Sequence, residues 1–221
     1  MNIIATIFYT ELLLLFRRSQ QWLYPLCFFV IVICLFPFAF APDPDFLQKY
    51  LPGCIWIAAL LASLLSIQTI FLTEIEEGSL EQWLLSTTPL TFLLCAKLSA
   101  QWVMTTLPLL LLMPLLAYLL QLSGYVIVVL EISLLFGTII FTLIGSLGVA
   151  LTIGLRQQGT LLGVLMLPLV MPIFILGVTI AEYAQANLSI AAPLAFLAGV
   201  MMLMITILPV MIAAVLRVNE W

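Results

Sequence analysis

The stretch Ile132-Ser133-Leu134-Leu135-Phe136-Gly137-Thr138-Ile139-Ile140-Phe141-Thr142-Leu143-Ile144-Gly145-Ser146-Leu147-Gly148-Val149-Ala150-Leu151-Thr152-Ile153-Gly154-Leu155 holds no charged side chain. At about 1.5 Å rise per residue a helix of this length crosses a hydrocarbon core of about 30 Å. Its polar residues are only Ser and Thr, whose hydroxyls can bond to their own helix. Its glycines would let a neighbouring helix approach closely, either within the chain or at a seam between two copies. Five similar stretches surround it, at Trp22–Ala41, Leu51–Thr73, Leu98–Leu120, Thr160–Ala181 and Pro193–Leu216. Lipid offers no partner to a bare backbone group, so all six are expected to be helices. Pro37, Pro108, Pro114, Pro168 and Pro172 should bend these helices without ending them. The expected fold is all-α and integral to the membrane, with one transmembrane domain over residues 1–221.

Composition agrees. Of 221 residues, 65% are hydrophobic and 7% charged. A soluble domain carries about 25% charged residues. The net charge of −4 and the scattered basic residues exclude a nucleic-acid surface. The chain has no histidine, no metal-ligand cluster and no Walker P-loop, so neither hydrolytic chemistry nor nucleotide cleavage is expected of it. No catalytic, metal or cofactor residue is expected. Met201, Met202 and Met204 are read as packing rather than as iron ligands, and Cys27, Cys34, Cys54 and Cys95 as buried, inert thiols. Trp22, Trp56, Trp102 and Trp221 fall near the expected span ends and suit interface anchors.

With the N-terminus in the cytoplasm, Arg17, Arg18, Lys97, Arg156 and Arg217 lie inside and only Lys49 outside, which satisfies the positive-inside rule. Both termini are then cytoplasmic. The outer loops fall at about 42–50, 121–131 and 182–192, and the inner ones at about 74–97 and 156–159. Asn2–Arg18 is too short to span and has the pattern of a helix lying in the interface, so residues 1–20 are assigned to it. No cleavable signal peptide is expected there, because the basic pair follows the apolar run instead of preceding it. Glu11 and Arg18 stand near one line of this helix, as a protein-facing pair or as separate charges. Glu131 has two readings. It is an interfacial acid at the start of span four, or an ionisable group drawn into the membrane.

The least lipid-like segment is Thr73-Glu74-Ile75-Glu76-Glu77-Gly78-Ser79-Leu80-Glu81-Gln82-Trp83-Leu84-Leu85-Ser86-Thr87-Thr88-Pro89. Gly78 breaks the preceding helix, Ser79 and Gln82 form a capping box, Glu81 suits the first turn and Pro89 ends the new helix. Leu80, Trp83, Leu84 and Thr87 share one face. Glu74, Glu76, Glu77 and Glu81 bring acid without compensating base, and acid does little for topology. The segment is free to meet a basic cytoplasmic partner, or it is a solvated loop.

The run Glu77-Gly78-Ser79-Leu80-Glu81-Gln82 with Leu84-Leu85, Pro89 and Lys97 resembles the coupling-helix signature of type II ABC exporter permeases. Over nearly the whole length the chain resembles the heme exporter protein B (CcmB) family. The likeness runs through Glu11, Phe16-Arg17, Pro25-Leu26, Phe28-Phe29, Leu35-Phe36-Pro37, Pro52-Gly53, Ile55-Trp56 and Ala58-Ala59-Leu60-Leu61. It continues through Thr106, Leu107-Pro108-Leu109-Leu110, Gly148-Val149-Ala150-Leu151-Thr152, Gly154-Leu155 and Leu167-Pro168-Leu169.

The resemblance implies a bacterial inner-membrane permease subunit for cytochrome c biogenesis, with heme as a substrate of the complex and not a cofactor of this chain. The implied partners are an ATPase subunit (CcmA), a heme-handling membrane subunit (CcmC), a one-span subunit (CcmD) and a periplasmic heme chaperone (CcmE). A second copy of the chain is also implied, with spans one and two at the seam. The coupling helix over 74–90 would meet the ATPase through Glu74, Glu77, Gly78, Ser79, Leu80, Glu81, Trp83 and Leu84. Two alternatives stay open: a scaffold that passes motion to a heme-handling neighbour, and an exporter of another lipid or glycan.

Overall fold

The computed structural model describes residues 3–39, 44–68, 70–71, 88–153 and 158–218. These form seven helices and no strand among the described residues: α1 (Ile3–Arg17), α2 (Ser19–Ala39), α3 (Pro44–Ile67), α4 (Leu90–Leu119), α5 (Gly124–Thr152), α6 (Gln158–Gln185) and α7 (Ala191–Val218). Six are long and apolar enough to cross a membrane, at Ser19–Ala39, Leu47–Ile67, Leu90–Leu119, Gly124–Thr152, Met166–Gln185 and Ala191–Val218. The chain is a multi-pass membrane protein, as its composition requires. The helices run on through Pro25, Pro37, Pro52, Pro108, Pro114, Pro168, Pro172 and Pro209.

Helix α1 spans 15 residues. It is about 22 Å long, too short to cross. It packs chiefly on α4 and only lightly on α2, which begins after the break at Arg18.

Helix α5 is the centre of the bundle and packs against α3, α4, α6 and α7. Its small residues make this possible. A Cβ added at Gly137 would collide with the Trp56 ring of α3, one at Gly145 with the Ile67 side chain of α3, and one at Gly148 with Met166 of α6. The Trp56 ring also fills the space over Gly177 of α6 and stands edge-on to Phe141, with centroids 6.0 Å apart. Of the two uses open to this glycine stripe, the structure adopts packing within the chain. Trp56 is fully buried, so it is a core residue and not an interface anchor. Its position between two glycines explains why so large a ring fits there.

Three span boundaries differ from expectation. Helix α4 starts at Leu90 rather than Leu98, α5 at Gly124 rather than Ile132, and α3 at Pro44 rather than Leu51. The first two runs were cut short at a charge, Lys97 and Glu131, and both charges lie within helices. The connection between α4 and α5 shrinks accordingly. Gln121 adopts a left-handed φ of 63°. The Leu122 N–H donates to the Ala117 carbonyl at 3.1 Å and Gln121 N–H to Tyr118 at 3.0 Å, a Schellman-type end. Ser123 then caps α5, its side chain accepting from Val126 N–H at 3.4 Å. Helix α6 ends in the same way, with Asn187 at φ 54° and Leu188 N–H donating to Tyr183 at 2.8 Å.

Candidate functional site

The expected coupling segment lies outside the described residues for Glu74, Glu77, Gly78, Ser79, Leu80, Glu81, Trp83 and Leu84. Its end is described. Pro89 stands at the N-cap position of α4 with φ −57°, and α4 leaves directly from it. Anything that moves segment 73–89 therefore acts on the first turns of α4.

Those turns carry an unusual amount of polarity for a membrane helix. Lys97 Nζ lies 3.6 Å from Glu11 Oε2 of α1, with side chains 7% and 14% exposed. Gln101, one turn on, is buried, and its Nε2 donates to Ser66 Oγ of α3 at 3.0 Å and reaches the Ser66 carbonyl at 3.4 Å. Trp102 Nε1 donates to Thr138 Oγ1 of α5 at 3.2 Å. Thr105 turns inward and donates to the Gln101 carbonyl at 2.8 Å. Within six residues, 97 to 102, α4 is thus tied to α1, α3 and α5 by side-chain polar links. Each link is made where water is scarce, so breaking it leaves a costly unpaired group.

Four more buried hydroxyls are satisfied within their own helices. Ser63 donates to Ala59, Thr142 to Thr138, Ser146 to Thr142 and Thr152 to Gly148, all between 2.6 and 2.9 Å. They add no polarity to the space between helices.

Several sequence expectations change here. Lys97 was placed in an inner loop, and the structure buries it inside α4. Glu11 of α1 pairs across the bundle with Lys97 of α4, a partner far away in sequence, and Arg18 is exposed at the break after α1. Glu131 is not at a helix start: it stands seven residues inside α5, and its Oε2 is buried with no hydrogen-bond partner among the described residues. Of the thiols only Cys54 is buried, whereas Cys27, Cys34 and Cys95 face outward. Trp102 is held in the bundle by Thr138 rather than at an interface.

Sequence reasoning missed Gln101 and Trp102 as linkers. A signal was present, since Lys97 and Gln101 are four apart and share a face, but the apolar run around them hid it.

A family model described as CcmB protein matches residues 2–219. The chain belongs to the CcmB family. Relatives extend over nearly full lengths. Heme exporter protein B of Pseudomonas aeruginosa is 43% identical over 218 residues, 99% of this chain and 98% of that one. Heme exporter protein B of Haemophilus influenzae is 42% identical over 209 residues, 95% of each chain. Heme exporter protein B of Escherichia coli K12 is 42% identical over 213 residues, covering 96% and 97%. In CcmB terms, the polar hub of α4 follows in sequence the segment that carries the family-like Gly78-Ser79-Leu80-Glu81-Gln82 run.

Proposed function

We propose that this chain is the membrane subunit of an ABC-type complex that serves heme export in cytochrome c biogenesis, in a bacterial inner membrane with both termini inside. The observation that carries this reading is the match to Heme exporter protein B along almost the entire chain. The sequence holds no P-loop, so energy has to come from a separate ATPase subunit. The segment 73–89 is its docking point, with Glu74, Glu77 and Glu81 supplying charge and Leu80, Trp83 and Leu84 filling an apolar groove. Nucleotide-driven displacement of that segment pulls on α4, and the links at Lys97, Gln101 and Trp102 pass the pull to α1, α3 and α5. Further partners are a heme-handling membrane subunit, a one-span subunit and a periplasmic chaperone.

Replacing Leu80→Asp or Glu81→Lys should abolish co-purification of the ATPase subunit while leaving membrane insertion intact. Undiminished co-purification from both variants would overturn the docking assignment.

A second reading has the chain pass motion to a heme-handling neighbour without conducting a substrate. It is favoured by the buried hydroxyls, which are spent inside their own helices and leave little to line a polar path. ATP-dependent flux in vesicles reconstituted with the complex supports conduction. Release of loaded chaperone without flux supports the motion-passing role.

A further inference from the structure

A cavity of about 670 Å³ lies between α1, α4, α5 and α7. Its walls come from Phe8 of α1, Cys95, Ser99 and Trp102 of α4, Thr142 of α5 and Ile205 of α7. The depth is consistent on three helices. Residues 95–102 follow the start of α4 at Leu90, residues 139–143 precede the end of α5 at Thr152, and Ile205 and Pro209 precede the end of α7 at Val218. All lie roughly 8–20 Å from the helix ends on the side that holds α1. The cavity therefore occupies the leaflet on that side. Cys95, Ser99 and Ile205 are exposed, which places its mouth toward lipid between α4 and α7.

The lining offers no free polarity. Ser99 Oγ donates to the Cys95 carbonyl at 2.7 Å and lies 2.9 Å from that of Ala96. Thr142 Oγ1 donates to Thr138 at 2.9 Å, and Trp102 Nε1 to Thr138 Oγ1 at 3.2 Å. A water needs two to four polar partners, and an acid or a sugar needs more. Nothing here provides them. A hydrocarbon chain needs none, and the bilayer supplies it through the mouth. Beyond the cavity, toward the same interface, Arg17 and Arg217 are exposed, matching the phosphate of a phospholipid head group.

We infer that this groove is a binding site for one acyl chain of a phospholipid from the leaflet that holds α1. The chain lies against Trp102 and Phe8, with its head group at the basic interface. The inference uses only this chain's own groove and does not rest on the proposed function.

Trp102 is a reporter inside the groove. The full chain is reconstituted in phosphatidylethanolamine–phosphatidylglycerol vesicles containing a minor fraction of phosphatidylethanolamine brominated midway along its acyl chains. The emission of Trp102 is taken as the difference from a Trp102→Phe variant. The bromolipid should quench that emission roughly twofold or more beyond the emission of the remaining tryptophans. Two filling variants, Ser99→Phe and Ile205→Phe, place a ring in the groove from opposite walls at exposed positions. Either one that elutes like the unaltered protein should lose most of the excess quenching. Quenching of Trp102 no stronger than that of the other tryptophans, or unchanged by both filling variants, overturns the inference. So does stronger quenching by acrylamide than by bromolipid, which would mark a water-filled space.

Discussion

Lys97 faces a choice that lipid makes severe: it finds an anion or it leaves the helix. Glu11 supplies the anion from α1, and the pair is mostly shielded from water. Removing one partner of a buried pair costs about 3–5 kcal/mol, because the other charge is stranded. Glu11→Gln and Lys97→Met should each lower the thermal midpoint in detergent, and the swapped pair Glu11→Lys with Lys97→Glu should recover much of the loss. A double-mutant cycle read by thermal denaturation measures this, and purely additive losses would show that the two residues do not couple.

Glu131 presents the opposite case, a carboxyl oxygen buried in α5 without a hydrogen-bond partner among the described residues. Glu131→Gln takes the charge away at nearly constant shape, so the thermal midpoint should not fall. A clear drop would mean that the carboxylate has an ionic partner.

Trp56 between Gly137 and Gly177 is the packing counterpart. Trp56→Ala should destabilise by about 3–5 kcal/mol, as large aromatic truncations in cores do. A change near zero in chemical denaturation would rule out this keystone role.

At the scale of elements, the glycine stripe of α5 serves its neighbours α3 and α6. Gly145→Leu or Gly148→Leu should cost about 1–3 kcal/mol through overpacking, seen as a lower yield of folded, monodisperse protein. Full tolerance at both positions would mean that α3 and α6 do not press on α5 as described.

The six spans and their helical type were legible in the sequence, because long uncharged runs in lipid have one backbone solution. Helix starts were not, and for one reason. In the sequence a charge signals the water interface at Lys97 and Glu131, yet both lie within helices. Lys97 is neutralised by a residue 86 positions earlier in the chain, and no local pattern reveals that. The same holds for Gln101 with Ser66 and for Trp102 with Thr138. The glycine stripe was legible as a close-packing face, but which surface meets it depends on tertiary arrangement.

In the whole molecule, α5 forms the packed centre, while α3 and α4 flank segment 73–89 in the chain. The polar links from the first turns of α4 tie it to α1, α3 and α5, which is what the mechanical reading requires. That reading needs segment 73–89 to touch a nucleotide-hydrolysing subunit. The direct measurement is photo-crosslinking in living cells from a reactive side chain placed at Glu77. The account predicts an adduct with a P-loop ATPase on the cytoplasmic face. An adduct formed only with a periplasmic protein would contradict it.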